Sequence, residues 1–132
     1  MKVSPYSLLQ EELCHDPWKL LVACMLLNQT SYKQVRGVIW KLFERYPTAV
    51  ALSNADETEL SALIRPLGFH NRRAKSLRRM SCDFAAGKRI DELHGIGQYA
   101  RDSYAMFVEG RADETQPTDV KLVMWKAWWA TQ

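Results

Sequence analysis

Apolar residues recur at helical spacing along almost the whole chain, and no segment alternates apolar and polar residues as a strand does. The clearest i, i+3, i+4, i+7 pattern comprises Val35, Val38, Ile39, Leu42, Phe43 and Tyr46, and Pro47 ends it. Asp16-Pro17 marks the start of a helix through Leu27 that is apolar nearly all round, as a central buried helix is. Further helices are predicted around 60–64, 74–84 and 100–108 and from about 118 to 129. The pattern predicts an all-α fold, a single-domain helical bundle over residues 1–132.

Composition excludes two classes of protein. A hydrophobic content of 47% in 132 residues argues against disorder and is enough for one core. The longest apolar run, Leu20–Leu27, is far shorter than the roughly 20 residues that a membrane-spanning helix needs. We therefore expect no membrane association, and we expect a monomer.

Basic residues are concentrated in one segment. Between Arg65 and Arg89 the chain has eight basic residues and one acid, Asp83, so this segment carries +7 and the rest −4 of the net +3. Such a basic stripe is typical of a protein that binds a polyanion. The alternative is a solvated helix face with incidental charge.

A Gly-Ile-Gly turn (Gly95, Ile96 and Gly97) joins two predicted helices. Glycine lets the backbone turn sharply and bring its amides close to a ligand. The next helix begins there, so its unpaired N–H groups and positive dipole end face the same space. The turn predicts a phosphate contact, and Asp119, about twenty residues later, adds a carboxylate that could do chemistry.

The order helix, Gly-Ile-Gly hairpin, helix, loop, aspartate resembles the helix–hairpin–helix DNA glycosylases. The segments that match one branch are His15-Asp16-Pro17-Trp18-Lys19-Leu20-Leu21, Leu27-Asn28-Gln29-Thr30-Ser31, Pro66-Leu67-Gly68, Leu93-His94-Gly95-Ile96-Gly97 and Asp102-Ser103-Tyr104. That branch is the mismatch-specific thymine/uracil glycosylase domain found in the methyl-CpG-binding-domain repair protein. The resemblance runs from about Leu9 to Trp129. It implies base excision repair on double-stranded DNA with a mismatched or damaged pyrimidine, which the enzyme flips out of the duplex.

The resemblance places the catalytic carboxylate at Asp119. A carboxylate can stabilise the positive charge that builds on the sugar as the glycosidic bond breaks, and can position the attacking water. The alternative for Asp119 is an ordinary helix N-cap, which its local sequence fits well. Tyr99 lies where strand-cleaving relatives carry a nucleophilic lysine, and tyrosine cannot form a Schiff base. The resemblance therefore implies a monofunctional enzyme that leaves an abasic site.

The same resemblance assigns three residues to the pocket that binds the flipped base: Gln10, Tyr99 and Lys121. Gln10 matches a glutamine that contacts the Watson–Crick edge of the flipped pyrimidine, where an amide offers one donor and one acceptor. Its alternative is a surface glutamine. Gln29 lies at the position of the wedge residue that fills the gap in the duplex, where the branch commonly has arginine. Val120, in place of a polar residue after Asp119, is a second departure, which leaves the preferred base open.

The hairpin residues Gly95, Ile96 and Gly97 are expected to hold the DNA backbone through main-chain N–H groups, without reading sequence. Arg72 and Arg73, on the preceding helix, are expected to add salt-dependent phosphate contacts. In the superfamily such hairpins often hold a monovalent cation through their carbonyls, so a cation here is possible. The tryptophans at 125, 128 and 129 are interpreted as core packing.

We expect no iron–sulfur cluster and no other metal site. Relatives with a cluster carry four closely spaced cysteines after the catalytic aspartate, whereas the three cysteines here are Cys14, Cys24 and Cys82. They also fit neither a disulfide framework nor a zinc site.

Two functions follow from the sequence. The first is a monofunctional glycosylase that removes thymine or uracil mispaired with guanine. The second is a non-catalytic helix–hairpin–helix module that only binds DNA. We expect the nucleus as the compartment in a eukaryote, and otherwise the cytoplasm or nucleoid.

Overall fold

The structure, a computed structural model, describes residues 3–132 and confirms the all-α prediction. The predicted domain includes Met1 and Lys2, which lie outside the described residues. From residue 3 onward the chain forms helices and no strand. The α-helices are α1 (Leu9–Leu13), α2 (Pro17–Leu27), α3 (Tyr32–Arg45), α4 (Ala49–Ser53), α5 (Glu57–Ile64), α6 (His70–Ala85), α7 (Gln98–Phe107) and α8 (Val120–Ala130). Short 3-10 turns occupy Arg65–Leu67 and Ile90–Glu92.

Helix α2 lies at the centre of the bundle, as its sequence predicts. Nearly all its side chains are buried, from Trp18 to Leu27. Helices α1, α3, α6 and α7 pack against it, while α4 and α5 pack against α6. Burial of each of its four leucine side chains contributes about 1.5–3 kcal/mol, so α2 is an important part of the core.

Side-chain caps fix where several helices begin. The carboxylate of Asp16 accepts from the Lys19 amide at 3.2 Å, with Pro17 as the first helical residue. Ser31 begins α3 in the same way. Helix α4 is not predicted by the sequence pattern, because its five residues bury only Leu52 and give no helical period.

The α6–α7 connection forms the predicted hairpin. Gly95 has φ of +76°, a left-handed conformation that favours glycine, and Gly97 is the N-cap of α7. The Asp83 carboxylate on α6 accepts from the His94 amide at 3.0 Å and from the Lys88 ammonium at 3.0 Å. These contacts hold the hairpin against the end of α6.

The C-terminal helix α8 begins at Val120, two residues later than the sequence suggested, because Asp119 caps it. Trp125 is buried, with its ring centroid 4.4 Å from that of Phe107. Trp128 and Trp129 are partly buried and pack beside it. The interpretation of these tryptophans as core packing is confirmed. None of the helices in residues 3–132 is both long and apolar enough to cross a membrane.

Candidate active site

A cleft of about 1290 Å³ lies between the α2–α3 loop, the start of α6, the hairpin and the start of α8. Of the predicted site residues, those that line it are Gln29, Arg72, Arg73, Gly95, Gly97, Tyr99, Asp119 and Lys121. Gln10 and Ile96 do not line it. The chain thus brings together groups that lie up to 92 positions apart, from Gln29 to Lys121.

Asp119 is both an N-cap and a cleft residue. Its Oδ2 accepts a hydrogen bond from the Leu122 amide at 3.1 Å. Within residues 3–132 its Oδ1 accepts no hydrogen bond, and the residue is half-buried at the cleft wall. Capping therefore occupies one oxygen and leaves the other to hold a water or face a sugar. The two interpretations of Asp119 are compatible.

A hydrogen-bonded group of four side chains forms the floor of the cleft: Tyr32 and Tyr99 line it, and Gln10 and Ser103 lie behind them. The Gln10 Nε2 donates to the Tyr99 hydroxyl at 2.7 Å and to the Ser103 Oγ at 3.2 Å. The Tyr32 hydroxyl donates to the Gln10 Oε1 at 3.2 Å and lies 3.0 Å from the Tyr99 hydroxyl. Gln10 is fully buried, so it is not a surface glutamine, and its contact with a base stays a prediction.

Burial sets the charge state of this cleft floor. It raises the pKa of the Tyr32 hydroxyl and, more strongly, the pKa of the Tyr99 hydroxyl. Burial also raises the pKa of the Cys24 thiol to about 12. All three groups are neutral at physiological pH, so the floor adds no negative charge beside the Asp119 carboxylate.

Gln29 stands at the turn between α2 and α3. It is exposed, lines the cleft and has φ of +60°, an uncommon value for a residue other than glycine. Arg73 holds this turn: its guanidinium donates to the carbonyls of Leu26 at 2.7 Å and Asn28 at 2.9 Å, and to the Thr30 hydroxyl at 2.7 Å. Burial lowers the pKa of Arg73. The predicted contact with a DNA phosphate stays a prediction, and a phosphate would compete with these protein partners for the guanidinium.

Arg72 stays exposed, and it lies over an aromatic residue that the sequence analysis missed. The Arg72 Cζ is 5.0 Å from the ring centroid of Phe69. Phe69 is 57% exposed, has φ of +48° and lines the same cleft as Gln29. Its exposure leaves a large aromatic side chain at the edge of the cleft. The only sequence signal was its position directly after the Pro66-Leu67-Gly68 break.

The hairpin presents backbone groups to solvent. Gly95 and Gly97 are exposed, whereas the Ile96 side chain is buried and anchors the turn in the core. Gly97 supplies no side-chain cap, so the first amides of α7 remain open to a ligand. The Ile96 carbonyl accepts from the Arg101 guanidinium at 3.1 Å. That carbonyl therefore has a cationic partner from the chain itself.

The residues that line the cleft all lie within the part of the chain that matches one protein family. The profile of the HhH-GPD superfamily base excision DNA repair proteins matches residues 22–129. The chain is 44% identical over 121 residues to a methyl-CpG-binding domain protein 4-like protein of Arabidopsis thaliana, covering 90% of this chain and 27% of that protein. It is 39% identical over 93 residues to a thymine-DNA glycosylase of Aeropyrum pernix, covering 64% of this chain and 42% of that protein.

The solved structure of a thermostable thymine-DNA glycosylase has the same fold. The TM-score is 0.68 at 24% identity, over 74% of this chain and 49% of that one. This chain spans less than half the length of each of these relatives.

Proposed function

The chain belongs to the HhH-GPD superfamily of base excision DNA repair proteins, and we propose that it is a monofunctional DNA glycosylase acting on thymine or uracil mispaired with guanine. The observation that carries this proposal is the free Oδ1 of Asp119, held at the wall of a cleft beside Tyr99 and Lys121. The Aeropyrum pernix relative is named a thymine-DNA glycosylase, and a relative from Pyrobaculum aerophilum, 34% identical over 110 residues, is named a thymine/uracil-DNA glycosylase. Both names support the same substrate class.

In this proposal Asp119 acts on the sugar of a flipped nucleotide. The bond between C1′ and the base nitrogen breaks, the base leaves with the bonding electrons, and positive charge develops on the sugar. The Asp119 carboxylate stabilises that charge and orients a water. The water oxygen bonds to C1′, and its proton passes to the carboxylate and from there to the departed base anion. The helix cap supports this step, because it fixes the carboxylate without using both oxygens.

Tyr99 supports hydrolysis over strand cleavage. A lyase needs an amine that forms a Schiff base with the opened sugar, and Tyr99 offers a neutral phenol that is hydrogen-bonded to Gln10. Lys121, the amine that the resemblance assigns to the base pocket, has its Nζ 5.1 Å from the Tyr32 ring centroid. We propose that Lys121 contacts the base and that the product is an intact strand with an abasic site.

We propose that double-stranded DNA binds as the partner of a monomer, along the hairpin and the exposed part of the basic segment. The amides at Gly95, Ile96 and Gly97 hold the backbone, and Arg72 adds a salt-dependent contact. Gln29 enters the duplex as the wedge. Phe69, exposed at the cleft edge, stacks on a base that flipping leaves without its neighbour. Such a protein would work where its substrate is, in the nucleus or the nucleoid.

We propose further that this activity needs no metal cofactor. Among the described residues no three histidine, cysteine or acidic side chains are grouped as metal ligands. At the hairpin the Arg101 guanidinium already occupies the Ile96 carbonyl and supplies the positive charge that a monovalent cation would bring. Replacing K⁺ by tetramethylammonium at constant ionic strength should therefore leave the Kd for DNA unchanged.

The test is excision from end-labelled duplexes with G·T, G·U, A·T and A·U pairs, run with and without alkali. We expect strand breaks at the G·T and G·U sites after alkali alone, because an abasic site is alkali-labile. Breaks without alkali, together with trapping of the protein on DNA by borohydride, would instead show a lyase. Binding to the mismatched duplex without any alkali-labile site would show the alternative, a non-catalytic DNA-binding module.

A further inference from the structure

Tyr32 covers the amide that was predicted to contact the base. Its hydroxyl donates to the Gln10 Oε1, and the Gln10 side chain is 0% exposed. Tyr32 and Tyr99 line the cleft, whereas Gln10 lies behind them. Any base that enters the cleft therefore meets the two phenols before it meets the amide.

The hydrogen bonds of Gln10 are already used. Its two Nε2 hydrogens go to Tyr99 and Ser103, and its Oε1 accepts from Tyr32. A base could contact the amide only by breaking at least one of these bonds. A buried polar group left without a partner costs about 1–3 kcal/mol, so this arrangement resists opening.

Tyr32 is also held in place from outside the network. It is the first residue of α3, directly after the Ser31 cap, whose Oγ accepts from the Gln34 amide at 3.1 Å. The Lys121 ammonium lies 5.1 Å from its ring centroid, a cation–π distance. The ring is thus fixed between α8 and the Gln10 amide.

We propose that Tyr32 is a specificity-determining residue: its fixed ring narrows the base pocket and selects uracil over the larger thymine. A pyrimidine then docks against the hydroxyls of Tyr32 and Tyr99, with Lys121 beside them, and Gln10 orients the phenols from behind. Uracil and thymine differ by one methyl group, and a tight apolar wall discriminates such a group by about 10- to 200-fold. This inference rests on the proposed glycosylase function.

The experiment compares wild type with Tyr32→Ala, which removes the wall, and Tyr32→Phe, which keeps it and removes only the hydroxyl. Kd values are measured for duplexes that carry 2′-fluoroarabino-uridine or 2′-fluoroarabino-thymidine opposite guanine, because these nucleotides flip but are not hydrolysed. We expect wild type and Tyr32→Phe to bind the uracil duplex at least 10-fold more tightly than the thymine duplex. Tyr32→Ala should reduce this ratio to within about 3-fold of unity, mainly by tighter binding of thymine.

A ratio in Tyr32→Ala that stays within 2-fold of the wild-type ratio would overturn the inference, and so would a wild-type protein that binds both duplexes equally. Absence of binding to either duplex would instead contradict the proposed function.

A second measurement needs no DNA: hydrogen exchange of the Gln10 carboxamide by NMR, with the exposed Gln116 as reference. We expect Gln10 to exchange at least 10-fold more slowly than Gln116 in wild type and to lose this protection in Tyr32→Ala. Equal exchange rates of the Gln10 and Gln116 carboxamides in wild type would show that Tyr32 does not shield Gln10 from solvent.

Discussion

Two substitutions at Asp119 separate its roles as helix cap and as carboxylate. Asparagine keeps the cap and alanine does not, and neither residue has a carboxylate. Asn caps a helix about as well as Asp, so Asp119→Asn should lose only the charge–dipole attraction, about 0.3–1 kcal/mol. Asp119→Ala also loses the 3.1 Å bond to the Leu122 amide, and a lost cap costs about 1 kcal/mol, within a range of about 0.5–2. For a chain of this length about 1 kcal/mol lowers Tm by roughly 3–5 °C.

Activity should follow a different order. Neither substitution leaves a negative charge at the cleft wall, so both should reduce single-turnover excision of uracil by about 10²–10⁴-fold. Binding to a G·U duplex should stay within about 3-fold of wild type. Asp56→Ala is the matched control: Asp56 caps α5 by accepting from the Glu59 amide at 3.0 Å, is exposed and does not line the cleft. It should lower Tm as Asp119→Ala does and leave excision unchanged.

The measurements are thermal unfolding followed by circular dichroism and single-turnover excision with alkali cleavage. If Asp119→Asn excises at more than a tenth of the wild-type rate, the carboxylate is not the catalytic group. If Asp119→Ala loses activity and Asp119→Asn retains it, Asp119 matters only as a cap. Either result would refute the assignment of chemistry to its free oxygen.

Three further predictions concern the DNA-facing surface. Arg73→Ala should cost about 2–4 kcal/mol of stability through its lost hydrogen bonds. Arg72→Ala should leave Tm unchanged and reduce by about 0.9 the slope of the logarithm of the DNA-binding constant against the logarithm of the salt concentration. Equal Tm values for the two variants would contradict this difference in roles. Gly95→Ala should cost about 1–2 kcal/mol of stability because φ at this position is +76°. In Gly97→Ala the new methyl group meets nothing within 4 Å, so this variant should keep the wild-type Tm and weaken DNA binding several-fold in a gel-shift assay. Unaltered affinity would show that the hairpin is not part of the DNA interface. Hydrogen bonds from the Lys88 ammonium and the His94 amide hold the pKa of Asp83 below its ordinary value of about 3.9. The ionised carboxylate therefore stabilises the fold at pH values above about 3.9, and this contribution is lost as pH falls through the pKa of the folded state. Asp83→Asn should therefore lower Tm at pH 7 and flatten the fall of Tm between pH 5 and pH 3, and parallel curves for variant and wild type would exclude this role.

The helices could be predicted wherever local chemistry marks them. Asp16-Pro17 marked the start of α2, because a side-chain cap is a property of a few adjacent residues. Helix α4 has too few apolar positions to show a period. The stripe of basic residues showed where the cations are but not which of them lack a protein partner. The Arg73 guanidinium bonds to two carbonyls 45 and 47 positions away and to a hydroxyl 43 positions away. Such long-range contacts leave no local pattern to find.

Tyr32 shows the same limit at the cleft itself. Nothing in the periodicity of α3 distinguishes it, and its partners lie 22 and 67 positions away at Gln10 and Tyr99. Its place in the chain nevertheless has a mechanical consequence. Gln29, the proposed wedge, lies three residues before Tyr32 in the turn that Arg73 fixes through the Thr30 hydroxyl. Since Tyr32 begins α3 directly after this anchored turn, we expect the wedge in the duplex and the wall of the base pocket to keep a constant spacing. The size of the pocket would then be set before a base arrives, so that a mismatched uracil is selected by fit rather than by rearrangement of the Gln10 amide.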